Sequence, residues 1–319
     1  MRWYTHGMPQ IPPRPLGASG LNVPVVGLGC NNFGRRLDLE GTRAVVDAAL
    51  AEGITFLDTA DIYGGSGASE ELLGQVLQGR RDEVILATKF GMDMGDGLGP
   101  RGSRGYIMQA IDNSLRRLQT DFVDYYWYHQ PDGVTPVGET LGALQELLTA
   151  GKIRGFGASN FDADQLREAD SAARENALTP FTAVQNEYSL LVRDAEDDVL
   201  PLCQELGIGF VPYFPLASGL LTGKYRRGEP GPDGARLSGR DEIGSDEQFA
   251  VVESLQRYAD ARGVPLIAVA IGALLTREAV SSVIAGATRP EQVRANTGAA
   301  RWIPSADDLE ALNEALAAA

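Results

Sequence analysis

The chain has 319 residues, 44% of them hydrophobic and 22% charged, the balance of an ordinary globular protein with room for one large α/β domain or two smaller ones. Its 43 acidic against 28 basic residues give a net charge of −15, which argues against nucleic acid or an anionic membrane as a bulk partner. Two cysteines, Cys30 and Cys203, offer no disulfide framework and fit a reducing compartment.

No apolar run reaches the ~18 residues of a membrane span, and the opening MRWYTHGMPQIPPRP lacks a secretory apolar core. A cytoplasmic protein is expected. The acidic balance leaves a phosphate-bearing small molecule open, because a few local cations can hold one against the global field.

Residues 1–13 read as an extension, and RPLGASGLNV at 14–23 as a hairpin that could plug one end of a barrel. From about residue 24 onward, short apolar runs alternate with amphipathic helices. The strands are expected at 25–29, 54–58, 84–89, 122–129, 153–158, 183–186, 208–212 and 282–285. Helices are expected at 40–52, 69–77, 104–118, 137–150, 162–176, 197–206 and 247–262. Gly53, Gly151 and Gly207 follow helical stretches and suit a left-handed C′ position. A helix at 265–275 reads as inserted before the last strand, and Ser305 with Asp308 caps a final helix.

Eight alternations fit a (β/α)8 TIM barrel better than an open doubly wound sheet. The first strand leads into GLGCNNFG, whose spacing fails the G-x-G-x-x-G dinucleotide fingerprint. No linker divides the chain, so residues 1–319 are expected to form a single barrel domain, with extra helices near the C-terminus. Residues 226–246 (RRGEPGPDGARLSGRDEIGSD) have no periodicity, and so long an irregular stretch in a compact domain reads as a covering loop.

Four residue types end four of the strand-like runs: Asp58 and Tyr63 in FLDTADIYG, Lys89 in VILATKFG and His129 in DYYWYHQPD. Strand ends in a barrel converge on one rim, so these can meet. A tyrosine hydroxyl, with an unperturbed pKa of about 10, is a sluggish acid. A lysine cation favours its phenolate and is expected to lower that value, an aspartate holds the lysine, and an imidazole orients a carbonyl. Together they would protonate an oxygen while something else delivers a hydride. Singly, each has a bland alternative: Asp58 as a turn residue, Tyr63 as a loop aromatic, His129 as a structural histidine. Lys89 is the hardest to set aside, since a buried unpaired lysine is costly and Asp58 is its natural partner. Strand alternation puts Trp127 on the same face as His129, either as an aromatic wall of the site or as core filler.

The motifs FLDTADIYG, ATKFG, YHQPD, GASNF, VQNEYSLL, PYFPLASGLLTGKY and IAGATRPEQVRAN occur in one order between about 16 and 300. In this the chain resembles the aldo-keto reductase superfamily, and within it the bacterial and plant reductase branch that includes potassium-channel β subunits. The resemblance implies a barrel that binds NADP across its C-terminal rim and reduces a small-molecule carbonyl. Carried over residue by residue, Tyr63 is the general acid, Lys89 and Asp58 its tuning pair, and His129 the orienting imidazole.

The same resemblance puts Gly29, Cys30, Asn31 and Asp58 beside the nicotinamide, with Ser159, Asn160 and Gln185 holding its carboxamide and Tyr213 stacked on its ring. Phe214, Pro215, Leu216, Ser218 and Lys224 continue along the pyrophosphate, with Arg236 in the covering loop. Gly286, Thr288, Arg289, Gln292 and Asn296 match the adenosine end. No metal is implied.

The chain departs from relatives at Cys30-Asn31, where Thr-Trp is common, at Phe214 in place of Ser, and at Ala295 in place of an acidic residue. A repelling net charge makes NADPH preference depend on local cations, and Arg289 beside a helix start can bind the 2′-phosphate in a bidentate way. The alternative function is a cofactor-sensing regulatory subunit with slow turnover. Channel subunits carry Asn where this chain has His129, which favours the enzyme. A monomer is the default expectation.

Overall fold

The computed structural model describes residues 13–95, 97–240 and 243–319. The extension expected at 1–13 therefore lies outside the described residues, apart from Pro13.

The described chain begins with a short antiparallel hairpin, β1 (Arg14–Pro15) and β2 (Asn22–Val23). Eight parallel strands follow: β3 (Val26–Gly29), β4 (Phe56–Asp58), β5 (Ile85–Phe90), β6 (Tyr125–Tyr128), β7 (Phe156–Ser159), β8 (Ala183–Gln185), β9 (Gly209–Phe210) and β10 (Val283–Gly286). They pair in the order β10-β3-β4-β5-β6-β7-β8-β9. The two ends of this sheet meet. The Phe210 amide donates to Ala279 O at 2.7 Å, and the Ile284 amide donates to Pro212 O at 3.0 Å, which closes the sheet into a (β/α)8 barrel.

Six of the eight strands are shorter than their apolar runs suggest, two of them markedly. The run at 122–129 contributes Tyr125–Tyr128, with Val123 making only an isolated bridge to Ile153. The run at 208–212 contributes Gly209–Phe210. Pro212 has no amide hydrogen to continue a ladder.

Inward side chains follow the two-residue strand period. Phe56, Ala87, Tyr125, Trp127, Ala183, Val211 and Ile284 form one buried cluster with Leu16 and Val23 of the hairpin. The hairpin thus seals the N-terminal mouth. Arg14 fixes it by donating to Val280 O at 2.8 Å and Leu275 O at 2.9 Å, and Ser281 donates to Pro15 O at 2.8 Å. Trp127 is fully buried, with its ring 4.5 Å from that of Tyr125. Gly157 makes room for both, since a Cβ there would stand 2.7 Å from the Tyr125 hydroxyl and 2.9 Å from the Trp127 ring. Trp127 is therefore barrel filler.

The helices are α1 (Leu39–Ala51), the single turn α2 (Tyr63–Ser66), α3 (Ala68–Val76), α4 (Arg104–Leu118), α5 (Val137–Thr149) and α6 (Ala163–Glu175). They continue with α7 (Val199–Leu206), α8 (Asp246–Ala261), α9 (Leu266–Leu274), α10 (Pro290–Ala299) and α11 (Ala306–Ala317). Capping boxes at Asp162–Gln165, Ser245–Gln248 and Ser305–Asp308 start α6, α8 and α11. Gly207, at φ +67°, ends α7 in the left-handed region.

The helix that reads as inserted, α9, instead belongs to the inner ring. Its sequence LIAVAIGAL is apolar on all sides and buried, and it packs on α10, which packs on α1. The added layer is α8 with α11 against it. Among the described residues no helix is long and apolar enough to cross a membrane.

Candidate active site

The strand period that fills the barrel also builds its polar floor. Two residues beyond Phe56, β4 ends in Asp58; two beyond Ala87, β5 carries Lys89. Two beyond Trp127, just past β6, comes His129, and two beyond Ala183, β8 ends in Gln185. The inward layer changes from apolar to polar at the C-terminal ends of the strands, where barrel enzymes hold their chemistry.

Lys89 is fully buried, and its ammonium donates to the Asp58 carboxylate and, at 3.0 Å, to Thr59 O. Gln185 Nε2 donates to the other Asp58 oxygen at 3.2 Å. Burial opposes the Lys89 charge, but the neighbouring Asp58 and Tyr63 outweigh it and hold its pKa above the ordinary value. A buried ion pair is stable only when its remaining hydrogen-bonding capacity is met, and Thr59 O and Gln185 meet it here.

Tyr63 opens α2, and its amide bonds to Ala60 O at 3.1 Å. Its ring lies 5.1 Å from the Lys89 ammonium and edge-on to the His129 ring at 5.8 Å. Burial raises the Tyr63 pKa; the Lys89 cation pulls it back, yet the net displacement is upward. That corrects the expected direction, because desolvation outweighs the cation. The hydroxyl keeps its proton at neutral pH.

His129 is held through its backbone, its amide donating to Phe90 O at 2.7 Å and its carbonyl accepting from Asn160 Nδ2 at 2.9 Å. Burial first, and the Lys89 charge second, bring its pKa down to about 3. The ring is neutral, and its buried Nδ1 has no protein partner.

Above this floor opens a cavity of about 800 Å³. Asp58, Tyr63 and His129 line its inner end, with Gly29, Asn31, Ser159, Asn160, Gln185 and Tyr213. Phe214, Pro215, Leu216, Ser218, Lys224 and Arg236 line its middle. Gly286, paired with Gly29 at the end of β10, leads to Thr288, Arg289, Gln292 and Asn296, which line the cavity where α10 begins. Of the residues expected at the site, Lys89 and Cys30 do not reach it. Lys89 sits behind Asp58. Cys30 is fully buried with its thiol directed to Leu28 O at 3.5 Å, and burial raises its pKa; its side chain faces the core, so only Asn31 of the Cys30-Asn31 pair lines the cavity.

The amide-bearing groups are pinned before any ligand arrives. Ser159 Oγ donates to Gln185 O at 2.7 Å, and the Tyr213 hydroxyl donates to Asn160 Oδ1 at 2.7 Å. Asn160 takes a left-handed φ of +58°, which its short polar side chain tolerates. At the outer end, α10 starts at Pro290 with Arg289 as its N-cap.

Lys224, Arg236, Arg289 and Arg36 line the cavity and have no ion pair among the described residues. Burial lowers the Lys224 pKa, and Arg289 and Arg36 add to it; burial likewise lowers Arg236, with Arg35, Arg36 and Arg240 adding. Cations that repel one another in a protein of net charge −15 are the donor set for a phosphate-rich ligand. A dinucleotide fits this cavity: cations outside, amide donors and acceptors inside, and the neutral His129 ring at the floor.

Several lining residues were not legible as site residues, among them Asn32 and Arg36, whereas residues 232–235 fall within the covering loop expected at 226–246. Arg36 carried one signal, an arginine pair beside the Asp38 helix cap in FGRRLD.

The Aldo/keto reductase family model matches residues 25–317. The chain is 35% identical over 302 residues to a probable voltage-gated potassium channel subunit beta of Arabidopsis thaliana, covering 91% of each. It is 34% identical over 313 residues to the aldo-keto reductase YhdN of Bacillus subtilis strain 168, covering 94% of this chain and 92% of that one. Among solved structures, the aldo-keto reductase AKR11C1 from Bacillus halodurans, described as a holo form, superposes with a TM-score of 0.79 at 33% identity, covering 95% of this chain and 96% of that one. With its closed barrel and the polar floor at the strand ends, the chain belongs to the aldo/keto reductase family.

Proposed function

We propose that the protein is an NADPH-dependent reductase of aldehydes or ketones, with Tyr63 as the general acid. The observation that carries this reading is the buried Lys89–Asp58 pair set against the Tyr63 ring, beside a neutral His129, on the floor of a cavity with a cationic outer end. The hydride comes from the nicotinamide when NADPH is bound. The chain's own residues do the rest.

Ser159, Asn160 and Gln185 would hold the carboxamide, since they supply paired donors and acceptors, and Tyr213 would cover one face of the ring. Lys224, Arg236 and Arg289 would take the phosphates, with Gln292 and Asn296 near the adenine. His129, neutral and lining the cavity beside Tyr63, orients the carbonyl oxygen toward Tyr63. Tyr63 releases its proton to that oxygen as negative charge develops, and Lys89 stabilises the phenolate left behind. Asp58 keeps Lys89 charged and fixed. The reading takes the chain as one barrel domain acting on a small molecule in the cytoplasm, as a monomer.

A second reading, a cofactor-sensing subunit with slow turnover, draws on the potassium-channel relatives at 35% identity. NADPH oxidation followed against a panel of aldehydes, ketones, sugars and pyridoxal separates the two. Saturable turnover with at least one carbonyl supports the reductase. Tight NADPH binding without turnover on any of them would favour the sensor, and no saturable NADPH binding would end both.

A further inference from the structure

We infer that Glu70, held by Arg117, is a positioning residue for the proton transfer: from behind the barrel wall it sets where Tyr63 stands relative to Lys89, an inference that rests on the reading of Tyr63 as the general acid. Tyr63 sits on a backbone with little stiffness of its own. Gly64, Gly65 and Gly67 follow it, in the left-handed region at φ +76°, +81° and +106°, and glycine has the most conformational freedom of any residue. α3 then begins at Ala68 without a side-chain cap. The turn that carries Tyr63 is therefore fixed from outside itself.

On its upstream side the anchor is β5, since the Thr59 and Asp61 amides donate to Ala87 O at 2.9 Å and Lys89 O at 3.1 Å. On its downstream side the anchors are in the first turn of α3. Ser69 Oγ donates to Cys30 O at 2.9 Å and lies 2.8 Å from Thr59 Oγ1. Glu70 is fully buried, and its two oxygens accept from two different elements. Oε1 accepts from Thr88 Oγ1 of β5 at 2.5 Å, and Oε2 accepts from Arg117 Nε of α4 at 2.6 Å. Arg117 also packs on the glycine hinge, where a Cβ on Gly67 would stand 2.5 Å from Arg117 Cδ and Nε.

Thr88 and Lys89 are consecutive on β5 and so point to opposite faces. One strand presents Lys89 to Tyr63 inside the barrel and Thr88 to Glu70 outside it. The connection from acid to cation thus closes on itself: Tyr63, the glycine hinge, Glu70, Thr88, Lys89. A slip of α3 along β5 changes the 5.1 Å between the Tyr63 ring and the Lys89 ammonium. Without Arg117 the Glu70 carboxylate is a buried charge without compensation, and α3 shifts to relieve it. A displacement of about 1 Å remote from the chemistry can slow a reaction about a hundredfold.

The test is a double-mutant cycle on single-turnover reduction, using NADPH-loaded protein and whichever carbonyl of the panel above reacts fastest. Arg117→Met should slow the turnover about ten- to a hundredfold with Kd for NADPH unchanged, and Arg117→Lys, which keeps the charge, should recover most of the rate. In a Tyr63→Phe background the same Arg117→Met should slow it by less than about twofold, because groups that act as one unit are not additive. The loss of melting temperature should be the same in both backgrounds. Thr88→Val leaves the ion pair in place and carries the same cycle should Arg117→Met not fold; its smaller loss of rate should likewise vanish beside Tyr63→Phe. An equal loss of rate in both backgrounds would overturn the proposal, by making the pair a support of the fold alone. Rates within about twofold of the wild type in both variants would overturn it too. A Tyr63→Phe protein as fast as the wild type would instead remove Tyr63 as the acid, a distinct result that takes the proposal with it.

Discussion

The two ends of the cavity are built on different physical plans. At the inner end, Asp58, Lys89, Gln185 and Thr59 are buried and joined by hydrogen bonds at the ends of barrel strands, Thr59 through its carbonyl. At the outer end, Arg36, Lys224, Arg236 and Arg289 stand on loops and a helix cap, without ion pairs among the described residues. The inner end is over-determined, so one lost group leaves another unpaired. The outer end is held by charge and open to solvent, so one lost cation weakens binding and little else. On the proposed reading, rigid proton chemistry and adaptable phosphate holding would fall to separate parts of one barrel.

Lys89→Met breaks the inner end most severely. It leaves the Asp58 carboxylate buried without its counter-charge, which costs about 3–5 kcal/mol of stability, and it should lower turnover by about 10²–10⁴-fold because Tyr63 loses its stabilising cation. Thermal unfolding and steady-state kinetics read the two effects. Adding Asp58→Asn to Lys89→Met should restore much of the stability and none of the rate; a double mutant that regained rate would show that the ion pair only supports the fold.

Arg289→Ala probes the outer end. It should raise Kd for NADPH roughly ten- to a hundredfold, with little change for NADH and none in melting temperature. An equal loss for both cofactors in a fluorescence titration would assign Arg289 to the adenine or the fold instead.

A separate effect tests whether burial elsewhere obeys the same electrostatics. Behind β4, Asp61 is 2% exposed with Oδ1 unpartnered, near Glu70, which is taken by Arg117 Nε at 2.6 Å and by Thr88. Burial, and then the Glu70 charge, raise the Asp61 pKa to about 8, whereas an unfolded aspartate titrates near about 3.9. The folded protein therefore binds more protons between those values, and this contribution to stability is lost as pH rises from about 4 to about 8. Asp61→Asn should flatten that decline in melting temperature. An unchanged slope would mean that Asp61 is ionised in the folded state.

The inner end was legible in the sequence because strand alternation is a strict two-residue rule. Asp58, Lys89 and His129 each end an apolar run, so their convergence follows from the fold class alone. The outer end was legible only through the resemblance, and there unevenly. Cys30 sits in the right segment but faces the core, since which way a residue turns just past a strand end is decided by the turn that follows. Arg36 escaped notice because its partners are backbone carbonyls some 200 positions away, and no local pattern records them. The helix α9 was misplaced for a similar reason: apolarity on all sides shows that a helix is buried, not which layer buries it.

The central claim is that Tyr63 supplies the proton, and Tyr63→Phe tests it most directly because the phenyl ring keeps the packing against His129 and Lys89. NADPH affinity and turnover should be measured on the same preparation. The account predicts an unchanged Kd with kcat reduced by about 10²–10⁴-fold; retention of more than about a tenth of the wild-type kcat, with binding intact, would contradict it.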